Sequence, residues 1–190
     1  GGGKDGARGR QRVPTVRECC VCGLLTTVTE EYDRVRRDGV RRVLLERQAA
    51  SLGLHLQTVT IPPQCVNAVY EDRMHALLLK HRERGVHRVA FGDIFLEDLR
   101  VYREKNLARV HMEAVFPIWR RDTRELAAEF VRLGFRAVTT CVDPRVLDSS
   151  FAGRALDARF FAIRPAAVDP CWETSESQTL VLAGRSYHAQ

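Results

Sequence analysis

The sequence predicts an α/β protein in which a parallel sheet is covered by helices on both faces. Two observations carry that expectation. Apolar runs of strand length alternate regularly with segments of helical spacing, and glycine or proline closes most of them. The 190 residues, 45% of them hydrophobic, are enough for one good core with a small appended subdomain.

The elements follow in order. Residues 20–28 form an apolar run ending in threonines and read as a buried strand. Residues 40–52 have helical spacing and stop at Gly53. A short strand over 57–61 is closed by Pro62 and Pro63, after which Asn67 is expected to cap a long helix reaching Arg84 and ended by Gly85. Residues 86–91 are the next strand, with Gly92 and Asp93 at its carboxyl end. A helix over 95–108, a short strand over 114–116, a helix over 123–133 before Gly134, and a strand over 137–142 complete the pattern. In such sheets ligands gather at the carboxyl ends of the strands, where Gly92 and Asp93 fall.

Composition narrows the function classes. The net charge is +6, built almost wholly from arginine, since Lys4, Lys80 and Lys105 are the only lysines. Most arginines alternate with acidic residues, as in Arg82-Glu83-Arg84 and Arg120-Arg121-Asp122, which is the pattern of solvated faces laced with ion pairs. Nucleic acid is therefore not an expected partner, although Arg8, Arg10, Arg12 and Arg17 have few acidic neighbours. No apolar run approaches the roughly 20 residues that cross a bilayer, and no secretion signal opens the chain, so the expected location is the cytoplasm, away from membranes. The six cysteines are grouped or scattered in a way that favours reduced, partly buried thiols, and the six histidines lack metal-ligand spacing, so no zinc site is expected.

Three blocks carry chemistry. Gly1-Gly2-Gly3-Lys4-Asp5-Gly6 lets backbone N–H groups approach an anion, with Lys4 as a mobile charge; alone it reads more readily as a frayed terminus than as a phosphate loop. The second block is Gly92-Asp93-Ile94-Phe95-Leu96-Glu97-Asp98-Leu99-Arg100, where helical spacing puts Glu97 one turn beyond Asp93 and Arg100 one turn beyond Glu97. Taken locally, that is a capping aspartate followed by an intrahelical ion pair. The third is Val168-Asp169-Pro170-Cys171-Trp172-Glu173.

Together these blocks resemble the diphthine-ammonia ligase family, a branch of the PP-loop ATP pyrophosphatases in the adenine nucleotide alpha-hydrolase superfamily. The family loop SGGKDS and its following LLTTV are matched by the first block and by Leu24-Leu25-Thr26-Thr27-Val28. Further matches are Gly39-Val40-Arg41, Phe116-Pro117-Ile118-Trp119, Cys141-Val142-Asp143, Leu147-Asp148 and Ser150-Phe151-Ala152-Gly153-Arg154, in the family's order from Gly1 to about Leu182.

The resemblance implies a Rossmann-like parallel sheet with a smaller C-terminal α/β subdomain. It divides the chain into a nucleotide-binding domain over 1–116 and an acceptor-binding subdomain over 117–190. It also implies ATP and Mg²⁺ and an amide-forming reaction. A carboxylate acceptor, which could be a modified protein side chain, becomes an acyl-adenylate with release of pyrophosphate, and ammonia then displaces AMP. On this reading Lys4, Asp93 and Glu97 are catalytic, and Gly2, Gly3, Lys4, Asp5, Gly92, Asp93 and Arg100 hold the nucleotide. Asp169, Glu173 and Glu176 face the acceptor, and Asp5 and Asp93 are the candidate Mg²⁺ ligands. Assembly into a homo-oligomer stays open.

The chain also departs from the family. An apolar strand is expected ahead of the loop and does not precede it here, so either the amino end is incomplete or that strand has been lost, which would leave a gap in the sheet. The loop's closing serine is Gly6, and Pro14 falls where the following helix should run, at a cost of about 3 kcal/mol. In the terminal block, which the family writes DPCGENGEFHT, Trp172, Ser175 and Gln178 replace two glycines and a histidine. These departures support an alternative, a nucleotide-binding relative with reduced or lost catalysis. Cys171 is expected to be structural, and Trp119 a core anchor.

Overall fold

The computed structural model describes residues 20–29, 34–35, 42–62, 66–173 and 177–184. The chain is a mixed α/β protein, and its first half is built from two parallel strand pairs. Strand β1 (Leu24–Thr29) lies beside β3 (Leu56–Ile61), in register from Leu24 opposite Leu56 to Thr29 opposite Ile61. Parallel neighbours need a crossover, and α1 (Arg42–Ser51) supplies it. On the other edge of β1 a two-residue strand, β2 (Arg34–Val35), pairs antiparallel with Val28 and Thr29. Helix α2 (Asn67–Glu83) leads to the second pair, β4 (Arg88–Ala90) and β5 (Glu113–Val115), joined through α3 (Glu97–Ala108).

One core serves both pairs. Leu78 of α2, Leu107 of α3, Val110 and Met112 are buried together, with Leu25 of β1, Val89 of β4 and Ala114 of β5 packed against them. Burial of such side chains contributes about 1.5–3 kcal/mol each, so this cluster is what joins the strand pairs and their helices. A second cluster, Leu147, Phe151, Phe160 and Val168 with Trp172 against it, organises the last third of the chain.

That last third differs from a continuing parallel sheet. After α4 (Thr123–Arg132), strand β6 (Arg136–Val142) takes an antiparallel partner, β7 (Ser177–Ala183), and α5 (Ala158–Ile163) lies between them in sequence. Helix α1 touches this ribbon, because Gln48 Nε2 donates to the carbonyl of Val181 at 2.6 Å.

Most expected elements are present, with boundaries shifted at their starts. The first strand begins at Leu24, so Cys20 and Cys22 precede it and are exposed; with Cys141 also exposed, only Cys171 of the described cysteines is partly buried. Asn67 is the first helical residue of α2, not its cap: Val66 holds the extended cap position and offers no side-chain acceptor. Helix ends are read more accurately, because α1, α2 and α4 each run into a glycine with positive φ, at Gly53, Gly85 and Gly134.

Candidate functional site

The site assembles at the carboxyl end of β4, where Gly92 and Asp93 leave the strand ahead of α3. Asp93 is not a helix cap. Helix α3 starts only at Glu97, and Asp93 turns toward Arg103 in the second turn of α3. The guanidinium donates through Nε to Oδ2 at 2.5 Å and through Nη2 to Oδ1 at 3.1 Å, a bidentate pair. The two side chains are only 23% and 12% exposed, which sets this pair apart from the solvated ion pairs elsewhere. Phe91 lies beneath the same guanidinium, 4.3 Å from its carbon to the ring centroid.

The next two residues are held from elsewhere in the chain. Ile94 is buried, and its N–H donates to Glu173 Oε1 at 2.7 Å, while the N–H of Phe95 reaches the same oxygen at 3.3 Å. The carbonyl of Ile94 accepts from the N–H of Arg120 at 2.7 Å. Arg120 takes a φ of +57° to make that contact, an uncommon conformation for a residue with a side chain. The loop after β4 is thus fixed on one side by the turn beyond β5 and on the other by the terminal block.

The terminal block is itself ordered by local bonds. Asp169 Oδ2 accepts the N–H of Glu173 at 3.0 Å, which sets Glu173 facing the loop. Cys171 Sγ donates to the carbonyl of Thr123 at 3.3 Å, and burial, together with nearby Asp169 and Glu173, pushes its thiol up to about 12. A thiol held neutral in this way is a poor nucleophile. Trp172 has a φ of +58° and lays its ring edge-on to Phe160 at 5.8 Å.

Glu97 and Arg100 do not form the intrahelical pair that their spacing suggested. Glu97 meets Arg120 Nη2 at 3.3 Å, and Arg100 Nε donates to Glu104 at 2.8 Å. The guanidinium of Arg100 lies over Trp119 at 4.8 Å and over Phe116 at 5.3 Å. Trp119 is half-buried against Phe116, so it is a wall of this corner as much as an anchor of the core.

The structure therefore gathers Gly92, Asp93, Glu97, Arg100, Asp169 and Glu173 around one loop. Gly2, Gly3, Lys4, Asp5 and Glu176 lie outside the described residues, as do Gly39, Val40 and Arg41. Arg103 and Arg120 are the residues that sequence reasoning missed. A signal for Arg103 was present, since it stands one turn beyond Arg100 on the same helical face.

Among the described residues no group of three acidic, histidine or cysteine side chains is placed to hold a metal ion. Asp93, one of the two candidate Mg²⁺ ligands, has both oxygens committed to Arg103. No described helix is long and apolar enough to cross a membrane. No protein-family model matches the chain, and no curated protein matches it.

Proposed function

We propose that the chain is an ATP-dependent amide ligase resembling diphthine-ammonia ligase, acting in the cytoplasm on a carboxylate acceptor with ammonia as the nitrogen donor. The observation that carries this reading is the bond from Ile94 to Glu173. The second and third blocks are assigned to one family on separate residues, 79 positions apart, and they meet through a buried backbone donor and a carboxylate. The resemblance expects these blocks to share one site, and their contact supports that reading.

The finer fold belongs to the same proposal. Both strand pairs are parallel, each crosses over through a helix, and Leu25 of β1 enters the core beneath β4 and β5. Among the described residues, 24–27 pair only with β3, and β4 pairs only with β5. A Rossmann-like sheet with one further strand between β1 and β4 accommodates all of this. That position is the one that the strand expected ahead of the loop of Gly2, Gly3, Lys4 and Asp5 would take. On this reading residues 1–116 form the nucleotide domain and 117–190 the acceptor subdomain.

The reaction asks four things of the site. A carboxylate oxygen of the acceptor attacks the α-phosphorus of ATP, and the bond to pyrophosphate breaks. Ammonia then attacks the acyl carbon, a C–N bond forms, and AMP leaves with the oxygen. Backbone donors at Gly2 and Gly3 with Lys4 would hold the departing pyrophosphate. Arginines around Gly92, chiefly Arg100, provide positive charge beside the nucleotide, Glu97 is a catalytic carboxylate, and Asp169, Glu173 and Glu176 face the acceptor. Mg²⁺ would supply charge neutralisation of the phosphates, and its ligands must come largely from outside the Asp93 pair.

A second reading, a nucleotide-binding relative with reduced or lost catalysis, is favoured by one specific feature. Trp172 occupies a positive-φ position where the family has glycine, and its ring packs edge-on against Phe160. Calorimetry with Mg·ATP separates binding from no binding. Saturable binding to the full chain, weakened by Lys4→Ala, supports a working nucleotide site. No binding by either protein removes both readings.

A further inference from the structure

The Asp93–Arg103 pair has a geometry that the metal-ligand reading of Asp93 leaves unused. Asp93 occupies Nε and Nη2 of the guanidinium, and the ring of Phe91 covers one of its faces. Nη1 of Arg103 carries no protein hydrogen bond among the described residues, and the side chain is 23% exposed, at the carboxyl end of β4. A guanidinium has five donors in a rigid fork, so a carboxylate that takes two of them fixes the direction of the rest. The neighbouring arginines are differently placed. Arg100 is bonded to Glu104 and Arg120 to Glu97, both at more solvated pairs.

We infer that Arg103 is an oxyanion-binding residue of this site, aimed by Asp93, and that Asp93 is a positioning residue and not a metal ligand. The ligand chemistry is a phosphate or carboxylate oxygen, which a guanidinium recognises through charge-assisted hydrogen bonds. The inference rests on the nucleotide reading of the same corner. Two sources of the oxyanion fit that reading, the phosphates of ATP and the carboxylate of the acceptor.

The test uses the full chain with pyrophosphate in the presence of EDTA, with ATP, with adenosine and with acetate as probes. Arg103→Met is expected to weaken pyrophosphate and ATP binding by about tenfold or more while adenosine binds as before. Arg103→Lys, which keeps the charge and is the milder change to packing, is expected to recover part of that loss. The arginine Nε–H resonance of Arg103, followed by NMR, is expected to shift on adding pyrophosphate, a response that a purely structural ion pair would not give. If acetate shifts that resonance and pyrophosphate does not, the oxyanion is the acceptor's carboxylate.

Three results overturn the inference. Unchanged pyrophosphate affinity in both Arg103 variants, with no shift of the Arg103 resonance on adding acetate and with wild type binding ATP, removes Arg103 from the ligand and leaves the nucleotide reading standing. Failure of wild type to bind pyrophosphate, ATP or acetate removes both. Loss of Mn²⁺ uptake by the ATP complex in Asp93→Asn returns Asp93 to the metal and ends its role as a positioning residue.

Discussion

Glu173 accepts the backbone N–H of Ile94 at 2.7 Å, and through this one oxygen the terminal block closes the loop that follows β4. The donor belongs to a residue that is 3% exposed, so water does not replace the acceptor if it is lost. The bond therefore matters to stability as well as to the shape of the site.

Glu173→Ala leaves that N–H unsatisfied, and the expected cost is about 1–3 kcal/mol. For a chain of this size each kcal/mol moves the midpoint by about 2–4 °C, so a thermal melt will show the change. Glu173→Gln keeps a carbonyl acceptor and should lose less than half as much. Equal melting of Ala and wild type would mean that the loop holds itself.

Trp172→Gly sets two effects against each other. Glycine removes the positive-φ penalty, of order 1 kcal/mol, and also removes the ring packed on Phe160 in the second core cluster. Large-to-small changes of this kind cost about 3–5 kcal/mol, so packing should win and the variant should be destabilised by about 2 kcal/mol or more. Urea unfolding measures it, and a stabilised variant would show that strain dominates.

The pH dependence of Cys171 follows from burial and its acidic neighbours. Its thiol is raised from 9.0 to about 12 in the folded state. The folded protein thus holds the proton that the unfolded chain releases earlier, and this contribution to stability is complete below about pH 9 and is lost as pH rises toward 12. Alkylation with iodoacetamide at pH 8, read by mass spectrometry, should label the exposed Cys20, Cys22 and Cys141 well before Cys171. Fast labelling of Cys171 would contradict the bond to Thr123.

Asp122 caps α4, its Oδ1 accepting the N–H groups of Arg124 and Glu125, both at 2.9 Å. Asp122→Ala should cost about 1 kcal/mol in urea unfolding, and Asp122→Asn much less, since asparagine caps nearly as well. A loss in Asn equal to that in Ala would point to charge, acting on the helix dipole, in place of the hydrogen bonds.

The strands and helices with clear periodicity were legible because their patterning is local: β1, β3, β4, α3 and α4 all fall within a few residues of where the sequence puts them. The two-residue β2, the six-residue α5 and β7 were not, since short or irregular segments carry too few periods to read. The start of α2 was misread because Asn67 has the chemistry of a cap but sits one position inside the helix.

The candidate site divides in the same way. By itself the sequence determined the alternation of elements and the placement of Gly92 and Asp93 at a strand end. Only the tertiary structure decided that Asp93 meets Arg103, that Glu97 meets Arg120, and that Glu173 reaches Ile94. The physical reason is distance. Periodicity is set by neighbours along the chain, whereas a carboxylate pairs with whichever donor the packed elements bring within about 3 Å, and that depends on strand register and helix placement across the whole fold.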